Sequence, residues 1–225
     1  MAKTRAGSSA LLFLAVPAVW CQNGGVALDS SKLQLSNVRV ESVTYKGRKA
    51  LRVTDTAAPD VPDGKRFAML PGSDFGDGVI ELDLAGDTLP IADPTARGFI
   101  GIAFRMSAGG SRYEALYLRP KNGRAEDQLQ RNHSVQYICE PEFPWQRLRQ
   151  ETPGKYESYV DLIPGEWTPI KIEVRSDKAR LYVHGAAQPT LIVNDLKHGQ
   201  SKGFIGLWIG PGTVAHFANL RITRL

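Results

Sequence analysis

The fold is decided most clearly by residues 168–183, which read TPIKIEVRSDKARLYV. Every second residue of the first half is apolar: Ile170, Ile172, Val174. Ser176-Asp177 then supplies a turn, and the alternation resumes at Leu181. A period of two puts the apolar side chains on one face of a strand and the charged ones on the other. Two such runs joined by a short turn predict a β-hairpin with one buried face.

The same alternation recurs over most of the chain. Short β-rich runs, separated by turn signals, occupy residues 38–45, 50–54, 79–84, 99–106, 191–193, 204–209 and 217–222. Strands that recur about every 8 to 12 residues are typical of a β-sandwich or a barrel. After residue 27, no segment of ten residues has a helical period. The sequence therefore predicts one all-β domain over residues 28–225, a two-sheet antiparallel sandwich.

The N-terminus has the features of a secretory signal peptide. A short basic region is followed by an apolar run at residues 10–20, which is too short to span a bilayer. Small residues at Gly25-Val26-Ala27 predict cleavage after Ala27, so residues 1–27 are expected to be removed from an exported protein, periplasmic or extracellular. Cys21 could carry a lipid anchor, but the bulky Trp20 before it disfavours that reading.

Composition excludes several classes of protein. Of 225 residues, 42% are hydrophobic and 23% are charged, as is usual for a globular domain rather than a disordered one. The net charge is only +5, and no Lys/Arg cluster of the kind that binds nucleic acid or a membrane surface is present. After removal of residues 1–27, Cys139 is the single cysteine, so no internal disulfide is expected.

Several strand-and-turn motifs occur in a familiar order. They are Phe75-Gly76-Asp77-Gly78, Gly101-Ile102-Ala103-Phe104-Arg105, Tyr113-Glu114-Ala115-Leu116-Tyr117, Gly203-Phe204-Ile205-Gly206-Leu207-Trp208 and Phe217-Ala218-Asn219-Leu220-Arg221-Ile222. Over residues 33–225 the chain resembles the concanavalin A-like lectin/glucanase superfamily, in particular its laminin-G-like branch with domains named 3-keto-disaccharide hydrolase. The resemblance implies a jelly-roll sandwich whose concave sheet binds carbohydrate. A glycoside-processing hydrolase and a laminin-G-like protein-interaction domain are the alternatives, and the sequence identifies no protein partner.

Two glutamates are candidates for hydrolytic chemistry, which usually needs a pair of carboxyl groups. Glu81 shares a strand face with Asp83, but the further Glu that follows in laminarinase-like members is missing, because residues 84–87 read LAGD. Glu114 interrupts the apolar side of its strand, and a carboxylate there needs exposure at a sheet edge or a partner, most plausibly an arginine. The catalytic residues stay unassigned, with Glu81 and Glu114 as candidates.

A polar, Pro-containing insertion at about residues 120–155 breaks the strand pattern. Long irregular segments in compact domains are often functional, although a plain surface insertion has the same appearance. Aromatic rings that stack on sugars and planar groups that hold hydroxyls are available in and beside it. The predicted ligand-binding residues are Arg105, Tyr117, Arg119, Arg131, Asn132, Tyr137 and Trp145. The alternative is that these arginines pair with nearby glutamates on a solvated surface. Trp208, opposite the apolar side of its strand, is also open to a binding role.

Metal and cofactor signals are weak. Aspartates in three loops could hold a structural calcium ion, although acidic loops are usually solvated turns: Asp55, Asp60, Asp63, Asp74, Asp77, Asp87, Asp93. The four histidines show no zinc-ligand spacing, so no zinc site is expected. No phosphate-binding glycine loop and no Gly-x-Ser-x-Gly motif is present, and no cofactor is predicted.

Overall fold

The computed structural model describes residues 25–26 and 28–225. The predicted signal peptide therefore lies outside the described residues, apart from Gly25 and Val26. The backbone N–H of Val26 donates to the carbonyl of Leu220 at 2.9 Å, which places these two residues against the last strand. Among the described residues, no helix has the length and apolar character needed to cross a membrane.

Nearly all regular structure in the described part of the chain is β-strand. The strands are β1 (Gln34–Ser36), β2 (Val38–Tyr45), β3 (Arg48–Asp55), β4 (Phe67–Phe75), β5 (Gly78–Thr88), β6 (Ile100–Met106), β7 (Tyr113–Leu118), β8 (Val135–Glu140), β9 (Glu157–Ser158), β10 (Thr168–Arg175), β11 (Lys178–Val183), β12 (Leu191–Val193), β13 (Gly203–Ile209) and β14 (Thr213–Arg224). Two short helices, α1 (Gln128–Asn132) and α2 (Trp145–Glu151), and three 3-10 turns, Ser30–Lys32, Asp63–Lys65 and Pro120–Asn122, complete the set.

The strands form two seven-stranded antiparallel sheets. Sheet I has the order β1-β4-β13-β6-β7-β8-β9, and sheet II has the order β12-β11-β10-β5-β14-β3-β2. The predicted hairpin of residues 168–183 is β10–β11, in which Ile172 pairs with Leu181. The prediction of an all-β, two-sheet antiparallel sandwich is confirmed.

Sheet II follows the alternation of its sequence. On β5, Ile80, Leu82 and Leu84 are buried in the core between the sheets, whereas Glu81 and Asp83 point to the outer face. This one-sided burial is why the pattern of sheet II is easy to read, since only one face has to be apolar.

Sheet I is covered on both faces. Its inner face joins the core, and its outer face carries a second apolar layer. This outer layer consists of Phe67, Met69, Ala103, Met106, Tyr113, Ala115, Tyr117, Ile138 and Trp208. Because both faces are buried, β4 begins with four consecutive buried residues, 67–70, instead of an alternating pattern. The pattern of period two does not mark that strand.

A β-bulge at Arg105 interrupts the alternation of β6. Between β6 and β13 the register shifts, with Phe204 opposite Met106 but Gly206 opposite Ala103, and Arg105 has a φ of 52°. The extra residue brings Met106 onto the outer layer in the place that strict alternation assigns to Arg105.

The Arg105 side chain instead fastens one end of the sandwich. Its guanidinium donates to Asp77 Oδ1 at 2.8 Å and to the carbonyls of Gly76, Ser176 and Gly199 at 3.2, 2.7 and 2.6 Å. These four acceptors lie on three different connections, so one side chain joins the turns of both sheets.

The insertion is more regular than its sequence indicates. The predicted short strand at residues 135–138 is β8, which pairs with β7 over six residues and with β9 over two. Helices α1 and α2 flank β8 in the chain. The insertion thus extends sheet I and also builds structure over its outer face.

Arg105 and its four acceptors form what we call the end clamp, and replacing Arg105 tests whether the clamp stabilises the fold. We expect Arg105→Ala to lower the free energy of unfolding by about 3 kcal/mol, because Asp77 and three carbonyls lose a buried charged donor. Urea denaturation measures the change. The control is Arg124→Ala, whose bidentate pair with Asp161 is exposed to solvent and should contribute much less to stability. Equal losses in the two variants would contradict the clamp.

Candidate functional site

A cleft lies on the outer face of sheet I, between the sheet and the insertion. Its volume is about 600 Å³, within the usual range for small-ligand sites. Both apolar rings and charged side chains line it. Its principal side chains are Asp63, Arg97, Phe99, Tyr117, Arg119, His133, Glu140, Trp145, Arg149 and Trp208.

The floor of the cleft is aromatic. Tyr117 on β7 and Trp208 on β13 have ring centroids 4.6 Å apart, and Phe99, just before β6, lies 6.2 Å from Tyr117 in an edge-on contact. The indole Nε1 of Trp208 donates to the Tyr113 hydroxyl at 3.0 Å, and that hydroxyl donates to the carbonyl of Gly64 at 2.6 Å. The rings are therefore fixed by packing and by hydrogen bonds before any ligand arrives.

Trp145 forms one wall, because α2 starts at this residue directly after Pro144. The guanidinium carbons of Arg149 and Arg119 lie 4.8 and 5.9 Å from its ring centroid, within the range of cation–π attraction. Trp145 and Phe99 are only partly buried, unlike Tyr117 and Trp208. These two rings offer accessible apolar surface in the cleft.

A buried ion cluster supports the floor and the wall. Arg119 is buried and donates to the Tyr117 hydroxyl at 2.9 Å, to Gln136 Oε1 at 3.1 Å and to Glu157 Oε1 at 3.3 Å. Arg149 also donates to both carboxylate oxygens of Glu157. Burial raises the pKa of Tyr117 above its usual value, although the Arg119 charge opposes the shift, so the phenol is neutral at pH 7.

His133 completes this cluster, with Nε2 3.4 Å from Glu157 Oε2. Partial burial lowers the pKa of His133, and the charges of Arg149 and Arg119 lower it further against the opposing pull of Glu157. The imidazole is therefore neutral at pH 7 and can take part in hydrogen bonds as both donor and acceptor.

Glu140 contributes a partly buried carboxyl group to the cleft. Its pKa is raised mainly by burial, with Lys65 opposing the shift and Asp63 adding to it. Gly64 allows this packing, because a Cβ at that position would lie 2.8 Å from Glu140 Cδ and 2.8 Å from the Tyr113 hydroxyl. A partly buried carboxyl group beside a second one has the character of an acid–base candidate.

The structure brings three of the seven predicted ligand-binding residues to the cleft: Tyr117, Arg119 and Trp145. The Arg105 guanidinium is not available to a ligand, because it is hydrogen-bonded within the end clamp. Tyr137 faces the inner core, because Val135, Tyr137 and Cys139 share that face of β8. The structure therefore does not bring Arg105 and Tyr137 together with the cleft residues.

Arg131 and Asn132 lie on α1, away from the lining of the cleft. Arg131 donates to the Tyr159 hydroxyl at 2.9 Å, and Asn132 accepts from Gln128 at 2.8 Å. Both have hydrogen-bond partners at the surface, although the partner of Arg131 is a tyrosine and not one of the glutamates of the alternative.

The two catalytic candidates lie elsewhere. Glu81 is on the outer face of sheet II, 3.8 Å from Arg221, and Glu114 is fully buried on the inner face of sheet I. Glu114 is not at a sheet edge, because β7 lies between β6 and β8. It also forms no ion pair with an arginine of the described residues. The two carboxyl groups are on different sheets, so the structure does not assemble them as an acid–base pair.

A wider groove of about 1160 Å³ crosses the outer face of sheet II beside Glu81 and Asp83. Several of its charged groups have partners: Asp83 pairs with Arg48 at 2.6 Å, and Lys171 pairs with Glu173 at 2.7 Å. It has no counterpart to the stacked aromatic floor of sheet I. We therefore place the candidate site in the cleft of sheet I.

Three of the seven aspartates predicted as calcium ligands already have partners. Asp55 pairs with Arg66 at 2.9 Å, Asp77 with Arg105 at 2.8 Å, and Asp93 accepts from Thr95 at 2.7 Å. Within the described ranges, these loop carboxylates form no group of three close enough to share one ion. The calcium site stays a prediction.

Sequence reasoning missed Phe99, Glu140 and Asp63 as cleft residues. The alternation of residues 99–106 predicts a strand but says nothing about a ligand-binding role for Phe99. From the sequence, Glu140 is predicted only as one of the glutamates that could pair with an arginine at the surface. Asp63 lies in a Pro-rich loop far away in sequence. No linear signal connects these positions, since β6, β8 and the loop before β4 meet only in the folded sheet.

Comparison with known proteins is informative only at the level of structure. No protein-family model and no curated protein sequence matches the chain. A Bacillus subtilis protein of unknown function with a galectin-like fold matches with a TM-score of 0.57 at 13% identity, over 91% of this chain and 98% of that one. The carbohydrate binding module CBM66 from Bacillus subtilis matches with a TM-score of 0.50 at 14% identity, over 83% and 94%.

A third similar structure is a candidate glycosyl hydrolase from Parabacteroides distasonis, with a TM-score of 0.51 at 13% identity, over 84% of this chain and 94% of that one. At such identities the likeness concerns the fold alone. Together with the two seven-stranded antiparallel sheets, these matches show that the chain has the concanavalin A-like β-sandwich fold.

Proposed function

We propose that this chain is an exported carbohydrate-associated module that binds a neutral glycan in the cleft on the outer face of sheet I. The observation that carries the proposal is the presence of two partly exposed rings, Trp145 and Phe99, at a preformed cleft of about 600 Å³. Export rests on the predicted signal peptide.

The chemistry of the cleft suits a sugar. The C–H faces of a pyranose or furanose ring are apolar and pack against aromatic rings, while the hydroxyl groups need nearby donors and acceptors. Trp145 supplies a ring at the wall, and Arg149, His133 and Glu140 supply polar groups beside it. Apolar surface with a few placed polar groups is the usual composition of a small-ligand site.

The charges of the cleft favour a neutral ligand. Arg97, Arg119 and Arg149 are balanced by the nearby carboxylates of Asp63, Asp127 and Glu140. Arg119 and Arg149 are further neutralised by the buried Glu157. A polyanion such as nucleic acid needs an excess of uncommitted positive charge, which this cleft does not have.

The structural neighbours support the same class of ligand. One is itself a carbohydrate binding module, and another is a candidate glycosyl hydrolase. These matches support the proposal only by analogy of fold, and its main support is the set of side chains that line the cleft.

Removing the wall ring tests glycan binding directly. We expect Trp145→Ala to weaken binding about tenfold, since a stacked ring contributes on the order of 1.5 kcal/mol. A panel of neutral oligosaccharides screened on an array identifies the ligand, and isothermal titration calorimetry then measures its dissociation constant.

The matched control is Tyr159→Ala, which removes an exposed ring and the partner of Arg131 outside the cleft. This variant should bind as tightly as the parent. The assignment of the cleft fails if Trp145→Ala keeps the full affinity or if Tyr159→Ala loses it. A parent protein that binds no glycan but captures a protein ligand would favour the laminin-G-like alternative.

One observation favours a second function, a glycoside-processing hydrolase of the 3-keto-disaccharide hydrolase type. Glu140 lies in the same cleft with a raised pKa, and the neighbouring carboxylate of Asp63 contributes to that shift. Two carboxyl groups in unequal environments can divide the roles of acid and base between them. In this reading Glu140 is the acid and Asp63 is the base.

Product analysis separates the two functions. If the protein is a hydrolase, mass spectrometry after incubation with oligosaccharides and their 3-keto derivatives should show new fragments. The rate should fall at least a hundredfold in Glu140→Gln, which cannot donate the proton. Glu81→Gln, on the other sheet, is the control and should keep the parent rate. An unchanged sugar pool in the parent protein would leave binding as the function.

A further inference from the structure

Three potential metal ligands converge inside the sandwich, on the opposite face of sheet I from the cleft. Glu114 on β7 pairs directly with Cys139 on β8, so both side chains emerge on the inner face at the same level. His198 comes from the connection between β12 and β13. One ligand atom from each of these residues lies within 4.8 Å of those of the other two.

Glu114 is a buried carboxylate without a cationic partner. It is fully buried, accepts from the Tyr137 hydroxyl, and accepts from the backbone N–H of His198 at 2.8 Å. In the described part of the chain, no lysine or arginine forms an ion pair with it. The two hydrogen bonds reduce the cost of burying a carboxylate but do not neutralise its charge, and a bound cation would.

His198 has a carboxylate neighbour outside the cluster. Its side chain is 4% exposed, and Nε2 lies 3.0 Å from Glu142 Oε2. If Nε2–H donates to that carboxylate, Nδ1 keeps its lone pair. Histidines that bind metals usually donate their other ring N–H to a carboxylate or a carbonyl in this way.

Cys139 supplies the third atom. The cysteine is free and buried, and it lies directly opposite Glu114 in the pairing of β7 with β8. A nearby cation favours the thiolate, which is the form that binds metal.

We propose that Glu114, Cys139 and His198 bind one divalent transition-metal cation, with zinc as the best match to the donor set. One thiolate, one carboxylate and one imidazole nitrogen are the three ligand types that zinc takes in proteins. The thiolate and the carboxylate balance the double positive charge, so the buried site is neutral overall. Binding releases the thiol proton to solvent.

The distances suit this ion after a small adjustment. Ligand atoms of a tetrahedral zinc site lie about 3.3 to 3.8 Å apart, given bonds of about 2.0 to 2.3 Å. Atoms within 4.8 Å of one another need to close by at most about 1.5 Å. A water molecule or the Tyr137 hydroxyl would fill the fourth position.

The site would be structural and separate from the glycan cleft. It would fasten the connection before β13 to strands β7 and β8 at the inner face of sheet I. No linear motif announces it, because the three ligands are separated by 25 and 59 positions along the sequence, far from the spacing of zinc-binding motifs.

Metal binding is measured on the full chain, reduced and freed of metal with a chelator. We expect isothermal titration calorimetry to show one zinc ion bound per chain. With cobalt as a spectroscopic substitute, a thiolate-to-cobalt charge-transfer band should appear in the near ultraviolet. A hundredfold excess of zinc over its dissociation constant should raise the Tm by about 5 °C.

Two ligand variants and one control locate the site. His198→Gln and Cys139→Ser should weaken zinc binding at least a hundredfold, and Cys139→Ser should abolish the charge-transfer band. His184→Gln should change neither result, because His184 is not part of the cluster.

Circular dichroism establishes that each variant is folded. The proposal is overturned if the folded parent protein binds neither zinc nor cobalt, or if both ligand variants retain the parent affinity. It is also overturned if cobalt binds to the parent without a thiolate band, a result that needs no variant to fold.

Discussion

The buried ion pair between Arg119 and Glu157 is the contact on which the candidate site depends. Arg119 follows β7 in the middle of sheet I, and Glu157 lies on β9 at its edge, with side chains 5% and 3% exposed. Removing Glu157 would leave the buried guanidinium of Arg119 without its carboxylate partner, in a place where water cannot compensate for the charge. The floor and the insertion are therefore tied together, and the space between them is the cleft.

The same pair sets the chemistry of its surroundings. Arg119 holds the Tyr117 hydroxyl, while Arg149 and His133 bring α2 and the end of α1 to Glu157. Trp145 is positioned as a consequence, because it begins the helix that carries Arg149. The positive charges are largely consumed by the protein itself, which leaves a cleft that is polar, aromatic and nearly neutral.

How much could be predicted from the sequence depends on how many faces of a strand are buried. Sheet II, buried on one face, shows its strands as alternating residues, and β5 and β10 are where the pattern predicts. Sheet I, buried on both faces, hides β4, and the bulge at Arg105 reverses the side on which the following residue lies. Strict alternation then assigns Arg105 to a binding face, although the folded chain uses it as a clamp.

Some residues of the candidate site could likewise be predicted from the sequence, and others could not. Tyr117 and Trp145 could be named from sequence because aromatic residues beside a long insertion are a local signal. Tyr137 could not be assigned to the inner face without the register of β8 on β7, which pairs it with Leu116. The meeting of Glu140 with Asp63, and of Glu114 and Cys139 with His198, arises only from tertiary structure. A period of two in the sequence identifies strands, but it does not show which polar residues of different strands and loops come together.

We propose that sugar binds to the outer face of sheet I and not to sheet II. An NMR titration that follows the indole N–H signals of the protein, as an oligosaccharide ligand is added, distinguishes the two faces. We expect the Trp145 signal to shift in proportion to occupancy, while the signal of Trp167, which lies edge-on to Tyr45 on sheet II, stays in place. Shifts confined to Trp167, with Trp145 unmoved at saturation, would place the sugar on sheet II instead.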